Sequence, residues 1–336
     1  MNKTVSIIIP CYNEEKTILQ LLAAILAQSY PRHLMEVLIA DGLSTDGTRN
    51  AIAGFTQAHG NLRIMVLDNP KRIIPAALNI ALNEAHGDII LRLDGHSIPF
   101  PTYVEKCVHD LETNMGEIVG GTWEIRPGAD TWVARAIAAA AAHPLGVGDA
   151  LYRHSDKPSH VDTVPFGAFK KELLEKVGLF DESLQVNEDY EFNTRVRDSG
   201  GRIWMNPAIR SVYFARSTLA GLLIQYFRYG FWKYRMLRRY PGSIRLRQAL
   251  PPLFVSSLLV CLFLGLLFKV FLLILGMEIL LYLAVLVAAG IHASEKNKDL
   301  TLVPGIPMAI SVMHLSWGSG FLWSIISWLS KSNKAE

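Results

Sequence analysis

The rhythm of hydrophobic and polar positions changes once, late in the chain. Up to about Arg247, short apolar runs alternate with polar turns and charged stretches of helical period; beyond Leu250, apolar residues continue almost without charge. Val5–Pro10 is a β-branched run that predicts a strand, and Ile18, Leu21, Leu22, Ile25 and Leu26 follow at helical spacing. Glu36–Ala40 and Arg63–Leu67 predict two further strands on either side of a helix over Thr48–His59. A helix over Ile74–Ala85 and a strand over Asp88–Leu93 complete the series. Strands separated by helices of this length predict a parallel sheet, and such sheets bind ligands beyond the carboxyl ends of their strands. Those ends are Pro10–Glu14, Asp41–Asp46, Asp68–Asn69 and Asp94–His96, and all are polar.

From about Pro101 to Ala220 the pattern is less regular. Ala134–Ala142 predicts a short Ala-rich helix, Phe166–Gly178 and Glu188–Ser199 two more, and the turn-rich Gly148–Asp162 a mobile loop. Then come three long apolar stretches, Leu253–Phe268, Val270–Ile291 and Val303–Trp328. Each approaches the roughly 20 residues that cross a hydrocarbon core. Lys269 alone separates the first two, which predicts a tight hairpin. The third is interrupted by Gly305, Pro307, Gly318 and Gly320 and carries His314.

Charge refines this picture. A net charge of +3 is too small to imply nucleic acid. Lys233, Arg235, Arg238, Arg239, Arg245 and Arg247 crowd the stretch before the first apolar run, which by the positive-inside rule predicts a cytoplasmic N-terminal domain. The lysines of Ser294–Asp299 place that loop on the same side; three spans would then leave the C-terminus outside, against which Lys331 and Lys334 argue. The run after Met1 is too short for a signal peptide. Cys11, Cys107 and Cys261 are far apart and without CxxC spacing, so a disulfide framework or zinc site is not expected and a reducing compartment is.

The candidate chemistry lies at the polar ends. Ser6–Glu15 (SIIIPCYNEE) opens a strand into aromatic and acidic groups. In Asp41–Thr48, capping explains Ser44 to Thr48 but not an acid directly on the strand end, where Asp41 can accept from a base or ribose. Asp94 and His96, two apart on a turn, can grip one divalent cation that in turn holds a diphosphate; imidazole suits Mn²⁺ better than Mg²⁺. Asp189, beside Glu188 at a predicted helix start, is either a dipole-favoured surface acid or a general base, and Glu191–Arg195 reads as an ordinary surface pair. Gln225–Trp232 mixes aromatics with arginine next to the basic cluster, as an interfacial helix does, and Gln225 and Arg228, one turn apart, can also face a pyrophosphate.

Taken together, PCYNEE, ADGLSTDGT, Asn69 and Asn79 ahead of GDIILRLDGH, PFGAFKKELLEKVGLFDESL and NEDYEFNTR resemble the family 2 glycosyltransferases, inverting nucleotide-sugar enzymes with a GT-A fold. The resemblance runs from Val5 to Trp232. It implies that Pro10, Tyr12, Glu14 and Asn69 bind the nucleotide-sugar, that Asp41 meets the uracil edge, that Asp94 and His96 match the metal motif, and that Asp189 is the catalytic base. Glu188, Gln225 and Arg228 would lie near the acceptor or its pyrophosphate. Two departures stand out: His96 replaces the second aspartate of the metal motif, and Tyr229 stands where processive members carry Trp. With about three spans, the chain looks more like succinoglycan-type exopolysaccharide glucosyltransferases than like polymer-threading synthases.

The resulting expectation is an α/β fold: a GT-A, Rossmann-like, doubly wound and mostly parallel domain over 1–232, a basic juxtamembrane segment over 233–249, and transmembrane helices over 250–330. The expected reaction moves a sugar, glucose by resemblance, from a UDP-sugar to a lipid-linked saccharide with Mn²⁺ or Mg²⁺, at a bacterial-type inner membrane. A polyprenyl-phosphate sugar transferase and a catalytically silent membrane scaffold are the alternatives.

Overall fold

In the computed structural model, which describes residues 3–332, the first four strands are β1 (Val5–Cys11), β2 (Met35–Asp41), β3 (Arg63–Asp68) and β4 (Ile89–Arg92). Helices α1 (Ile18–Leu26), α2 (Thr48–Ala58) and α3 (Ile74–Glu84) lie between them in the chain. Then follow β5 (Ile98–Pro99), α4 (Tyr103–Glu112), β6 (Ile118–Arg126), α5 (Trp132–Ala141), α6 (Pro144–Val147), β7 (Ser159–His160), β8 (Ala168–Lys170), α7 (Leu173–Val177), α8 (Glu188–Asp198) and β9 (Ile203–Phe214). The chain ends in four longer helices: α9 (Leu219–Leu237), α10 (Leu246–Gly265), α11 (Lys269–Asn297) and α12 (Leu302–Ser332). Lys334 lies outside the described residues.

The strands form one sheet in the order β3-β2-β1-β4-β8-β6-β9-β5, with β7 on β9. β3, β2, β1 and β4 are parallel, whereas β8 runs antiparallel to both β4 and β6, and β5 and β7 run antiparallel to β9. The predicted parallel half is therefore extended by an antiparallel half. β1 is buried on both faces: Ile7 and Ile9 join α1 and α4 in one core, and Ile8 joins Leu38 and α3 in the other. Burial on both sides is why its apolar run is continuous rather than alternating.

The middle third differs from its sequence reading. Phe166–Gly178, expected as one helix, holds β8 and the short α7, because Ala168 and Phe169 pair with Leu91 and Ile90 of β4. Cross-strand pairing overrides the local helical preference. The Gly148–Asp162 stretch contains a 3₁₀ turn at Leu151–Arg153 and strand β7.

The chain divides into two compact units. One comprises Met1–Glu124 and Leu151–Tyr213; the other comprises Ile125–Ala150 and Phe214–Glu336. Residues 125–150, with α5 and α6, thus group with the C-terminal helices. α10, α11 and α12 are each long and apolar enough to cross a membrane. The second unit is in that sense the helical membrane region. Cys11, Cys107 and Cys261 are buried free thiols.

Candidate active site

The carboxyl ends of β1, β2 and β4 carry loops that are laced to one another. Asn13 donates its backbone N–H to Ser44 Oγ at 2.8 Å and its Oδ1 accepts from Thr45 N at 2.8 Å. Glu14 N donates to Thr48 Oγ1 at 2.8 Å, and Glu15 Oε2 accepts from Gly47 N at 3.1 Å. Thus Ser44, Thr45 and Thr48 do more than cap a helix: they fix the turn after β1. Asn13, Leu43, Arg72, Phe166 and Asn187 have φ values of 54°, 59°, 54°, 49° and 68°, left-handed conformations at non-glycine residues in the loops of this unit. Such strain persists where the surroundings over-determine it, as they do in ligand-holding loops.

Asp41 is fully buried at the end of β2. Its carboxylate accepts from Ser44 N at 3.0 Å, Ser44 Oγ at 2.5 Å and Arg49 Nε at 2.5 Å. Arg49 also reaches Asp68 Oδ1 at 2.5 Å, tying the ends of β2 and β3. Asn69 donates its side-chain N–H to Ile73 O at 3.1 Å, while its buried Oδ1 has no hydrogen-bond partner among the described residues. Tyr12 is exposed, with the Arg72 guanidinium 5.8 Å from its ring centroid. Pro10 is the penultimate residue of β1.

At the end of β4 the sequence places Asp94 and His96 on one turn, and the structure adds Glu14 beside them. Glu14 Oε1 and His96 Nδ1 are 2.9 Å apart, and Glu14 Oε2 accepts from Thr17 Oγ1 at 2.5 Å. A carboxylate can only accept, so Nδ1 carries the hydrogen; metal-binding imidazoles are commonly oriented in this way, with the other nitrogen toward the ion. Among the described residues no three His, Cys, Asp or Glu side chains form a ready-made cation cluster. The donor chemistry nevertheless fits a divalent ion that takes one or two protein groups and completes its shell with phosphate oxygens and water.

Arg92, the last residue of β4, is the feature that the sequence reading missed. Its side chain is buried and bridges two elements: Nη2 lies 3.1 Å from Asp94 Oδ1 and 2.9 Å from Glu188 Oε1. Its buried Nη1 has no hydrogen-bond partner among the described residues. Burial opposes the charge on Arg92, but Asp94, Glu188 and Asp189 together hold it above its ordinary value. At Glu188 burial dominates: it pushes the carboxyl up, Arg92 pulls it down, Asp189 pushes it up again, and the result is about 7. An arginine inside the otherwise apolar run Ile89–Leu93 was the signal available in the sequence, because a lone charge in a buried strand requires a partner.

Asp189 follows Glu188 in the first turn of α8 and is partly exposed, with Oδ1 accepting from Tyr190 N at 2.7 Å. Tyr190 Oη donates to Asp162 Oδ2 at 2.8 Å and Asn193 Nδ2 to Thr163 Oγ1 at 2.7 Å, which seats α8 on the segment before β8. The Glu191–Arg195 pair corrects its sequence reading. Glu191 is fully buried, and Arg195, besides pairing with it at 2.6 Å, donates to the carbonyls of Val177 and Leu179. The pair therefore braces the loop before α8 rather than decorating a surface. Asn79 has a similar task, donating to Phe180 O at 2.9 Å and accepting from Phe180 N at 2.9 Å. Gln225 and Arg228 belong to the other unit, one turn apart on α9, where Gln225 Nε2 donates to Tyr229 Oη at 2.9 Å.

Residues 6–178 match the sequence model described as glycosyl transferase family 2. The chain belongs to that family. This glycosyltransferase is 32% identical over 318 residues to the succinoglycan biosynthesis protein ExoA of Rhizobium meliloti, covering 94% of this chain and 93% of that one. It is 27% identical over 329 residues to a dolichyl N-acetyl-α-D-glucosaminyl phosphate 3-β-D-2,3-diacetamido-2,3-dideoxy-β-D-glucuronosyltransferase of Methanococcus voltae, covering 96% and 97%. Among solved structures, the mannosyltransferase PcManGT from Pyrobaculum calidifontis, in complex with GDP-Man and Mn²⁺, superposes with a TM-score of 0.65 at 21% identity. That match covers 97% of this chain and 88% of the other. The glycosyltransferase therefore has the GT-A fold expected from its sequence, followed by a helical membrane region.

Proposed function

We propose that this glycosyltransferase moves a sugar, glucose in our assignment, from a UDP-sugar to a hydroxyl of a lipid-linked saccharide, in exopolysaccharide or cell-surface glycan synthesis. The observation that carries this reading is the Arg92 bridge, which holds the Asp94 strand end and the Glu188–Asp189 helix start within one ion-pair network. A donor diphosphate and an attacking hydroxyl need those two groups close together. Pro10, Tyr12, Glu14, Asp41 and Asn69 line the nucleotide side; Asp41, whose carboxylate is taken up by Ser44 and Arg49, acts there largely by shaping the loop. Glu188, Gln225 and Arg228 are assigned to the acceptor and its pyrophosphate.

In the proposed reaction the Asp189 carboxylate takes the proton of the acceptor hydroxyl as its oxygen bonds to the anomeric carbon. The bond from that carbon to the diphosphate oxygen breaks, its electron pair leaves with UDP, and configuration inverts. Asp94 and His96 would hold a divalent cation, Mn²⁺ or Mg²⁺, which neutralises charge on the departing diphosphate. The membrane helices support an acceptor carried by lipid, as does the relationship to the Methanococcus voltae enzyme, whose named substrate is a dolichyl-phosphate-linked sugar. The catalytic unit is assigned to the cytoplasmic face of a bacterial-type plasma membrane.

The test is a screen of UDP- and GDP-sugars against polyprenyl-pyrophosphate saccharides, with UDP release and the mass of the lipid product as readouts. Asp189→Asn should lose about 10²–10⁴-fold in rate, the contribution of a positioned base, while still binding UDP. Retained turnover would refute the base assignment, and a product lacking the original saccharide would refute the acceptor.

A further inference from the structure

The three apolar helices have unlike surroundings. Only 6% of the most apolar stretch of α11 is buried, against 44% for α12. The contacts of α12, followed along its length, show why. Near its start, Val303 packs on Gly290, close to the end of α11, and Gly305 packs on Ala136 of α5. The Arg135 guanidinium of α5 reaches Asp299 Oδ2 at 3.1 Å, just before α12 begins. His314 Nε2 lies 2.9 Å from Leu145 O of α6, and its Nδ1 lies 3.0 Å from Tyr282 Oη, halfway along α11. Trp317 Nε1 donates to Gln248 O at 3.1 Å, and Gly318 packs against Pro251, both in the first turns of α10.

Val303 and Trp317 are thus separated by about 21 Å of helix at 1.5 Å per residue. Yet one lies about two turns before the end of α11 and the other at the start of α10. These are the two ends of the α10–α11 hairpin that lie on a single face of the membrane, opposite the turn at Leu266–Phe268. A helix that touches both, and meets Tyr282 of α11 and Val255 of α10 between them, crosses the hairpin obliquely on the side where α10 begins rather than following one span from end to end.

The second half of α12 follows α9. A Cβ on Gly230 would fall 2.0 Å from Trp317 O, and one on Gly320 would fall 2.1 Å from Phe227 O, so the two backbones touch through glycine. Tyr234 packs on Phe321 at 5.4 Å and the Arg238 guanidinium lies 4.1 Å over the Trp328 ring. The helices therefore lie side by side in the same direction. If α12 crossed the bilayer it would carry α9 with it, and α9 contains Arg228, Lys233 and Arg235, among the most costly residues at a bilayer centre. Lys233 is already committed elsewhere: Nζ donates to Ser243 O at 2.9 Å, three residues before α10 begins.

We propose that only α10 and α11 cross the membrane, and that α12 lies with α9 along the polar–apolar boundary of the lipid bilayer, on the face where the chain enters α10. The pair has the side chains for that layer. Leu223 and Ile224 of α9 and Trp323, Ile326 and Leu329 of α12 are exposed and apolar, while Arg235 and Arg238 cover neighbouring rings. Aromatic rings and arginines at headgroup level are the mark of helices lying in the interface. The end of α12 then stays on the side where α10 began, unlike the outside position implied by three spans.

Single cysteines placed in the full-length protein test this in sealed membrane vesicles with a membrane-impermeant maleimide; the three native cysteines are buried, and the unsubstituted protein gives the background. Ser330→Cys should label in the vesicle orientation that labels Gln57→Cys of α2, and lose labelling in the orientation that labels Leu267→Cys of the hairpin turn. A protease-cleavable tag after Glu336 should likewise be cut together with one before Met1. Ser330→Cys labelling together with Leu267→Cys, or tags cut from opposite faces, would overturn the proposal.

Discussion

Glu188 offers the most direct thermodynamic check on the site. Its side chain is 6% exposed, and the balance of burial, Arg92 and Asp189 leaves the carboxyl at about 7, against an ordinary value of 4.5. Between those values the folded chain keeps a proton that the unfolded chain has released. The stabilisation is complete below the unfolded value and is lost as pH rises through the folded one. At 1.36 kcal/mol per pKa unit, the shift corresponds to at most about 3 kcal/mol. Glu188→Gln preserves shape and an acceptor for Arg92 Nη2 but has no proton to lose. Melting of purified full-length protein in detergent, between about pH 4 and about pH 8, should show the wild type losing roughly 3 kcal/mol relative to the variant. For a chain of 336 residues, at about 2.1 cal/mol/K of unfolding entropy per residue, that is roughly 4 °C in Tm. Parallel melting profiles would refute the reasoning. A wild type that gains on the variant as pH rises would show that Arg92, rather than burial, governs the charge.

Two further outcomes follow from the geometry. EDTA should abolish turnover and Mn²⁺ should restore it better than Mg²⁺, with His96→Asp narrowing that preference; an unchanged metal ratio would remove His96 from the cation site. Gly230→Ala sets a Cβ against the Trp317 carbonyl, so the α9–α12 seam must open; a loss of about 1–3 kcal/mol, read as a lower melting temperature in detergent, is expected, and an unshifted melt would show that the seam yields.

The parallel half of the sheet was legible because β1, β2 and β4 are apolar runs bounded by polar turns, and their ends named most of the candidate residues. β8 was not legible: three residues long, it exists because β4 and β6 lie on either side of it, and its own sequence has helical periodicity. The burial of Glu191 was hidden for the same reason, since i,i+4 spacing says that a pair can form and not whether the helix face is covered. Arg92 is visible in the sequence, but its partner is not, because Glu188 lies 96 residues further along the chain. The orientation proposed for α12 needs its contacts as well as its composition, because its length and apolar content equally suit a span.

The lacing of the strand-end loops has a practical consequence for exchanging them. Asn13, Glu14 and Glu15 take their positions from Ser44, Thr45, Gly47 and Thr48, and Glu14 in turn holds His96. A loop transplanted singly from another glycosyltransferase would arrive without the partners that shape it. Redesign of this end of the molecule has to exchange the segments following β1, β2 and β4 as one cassette.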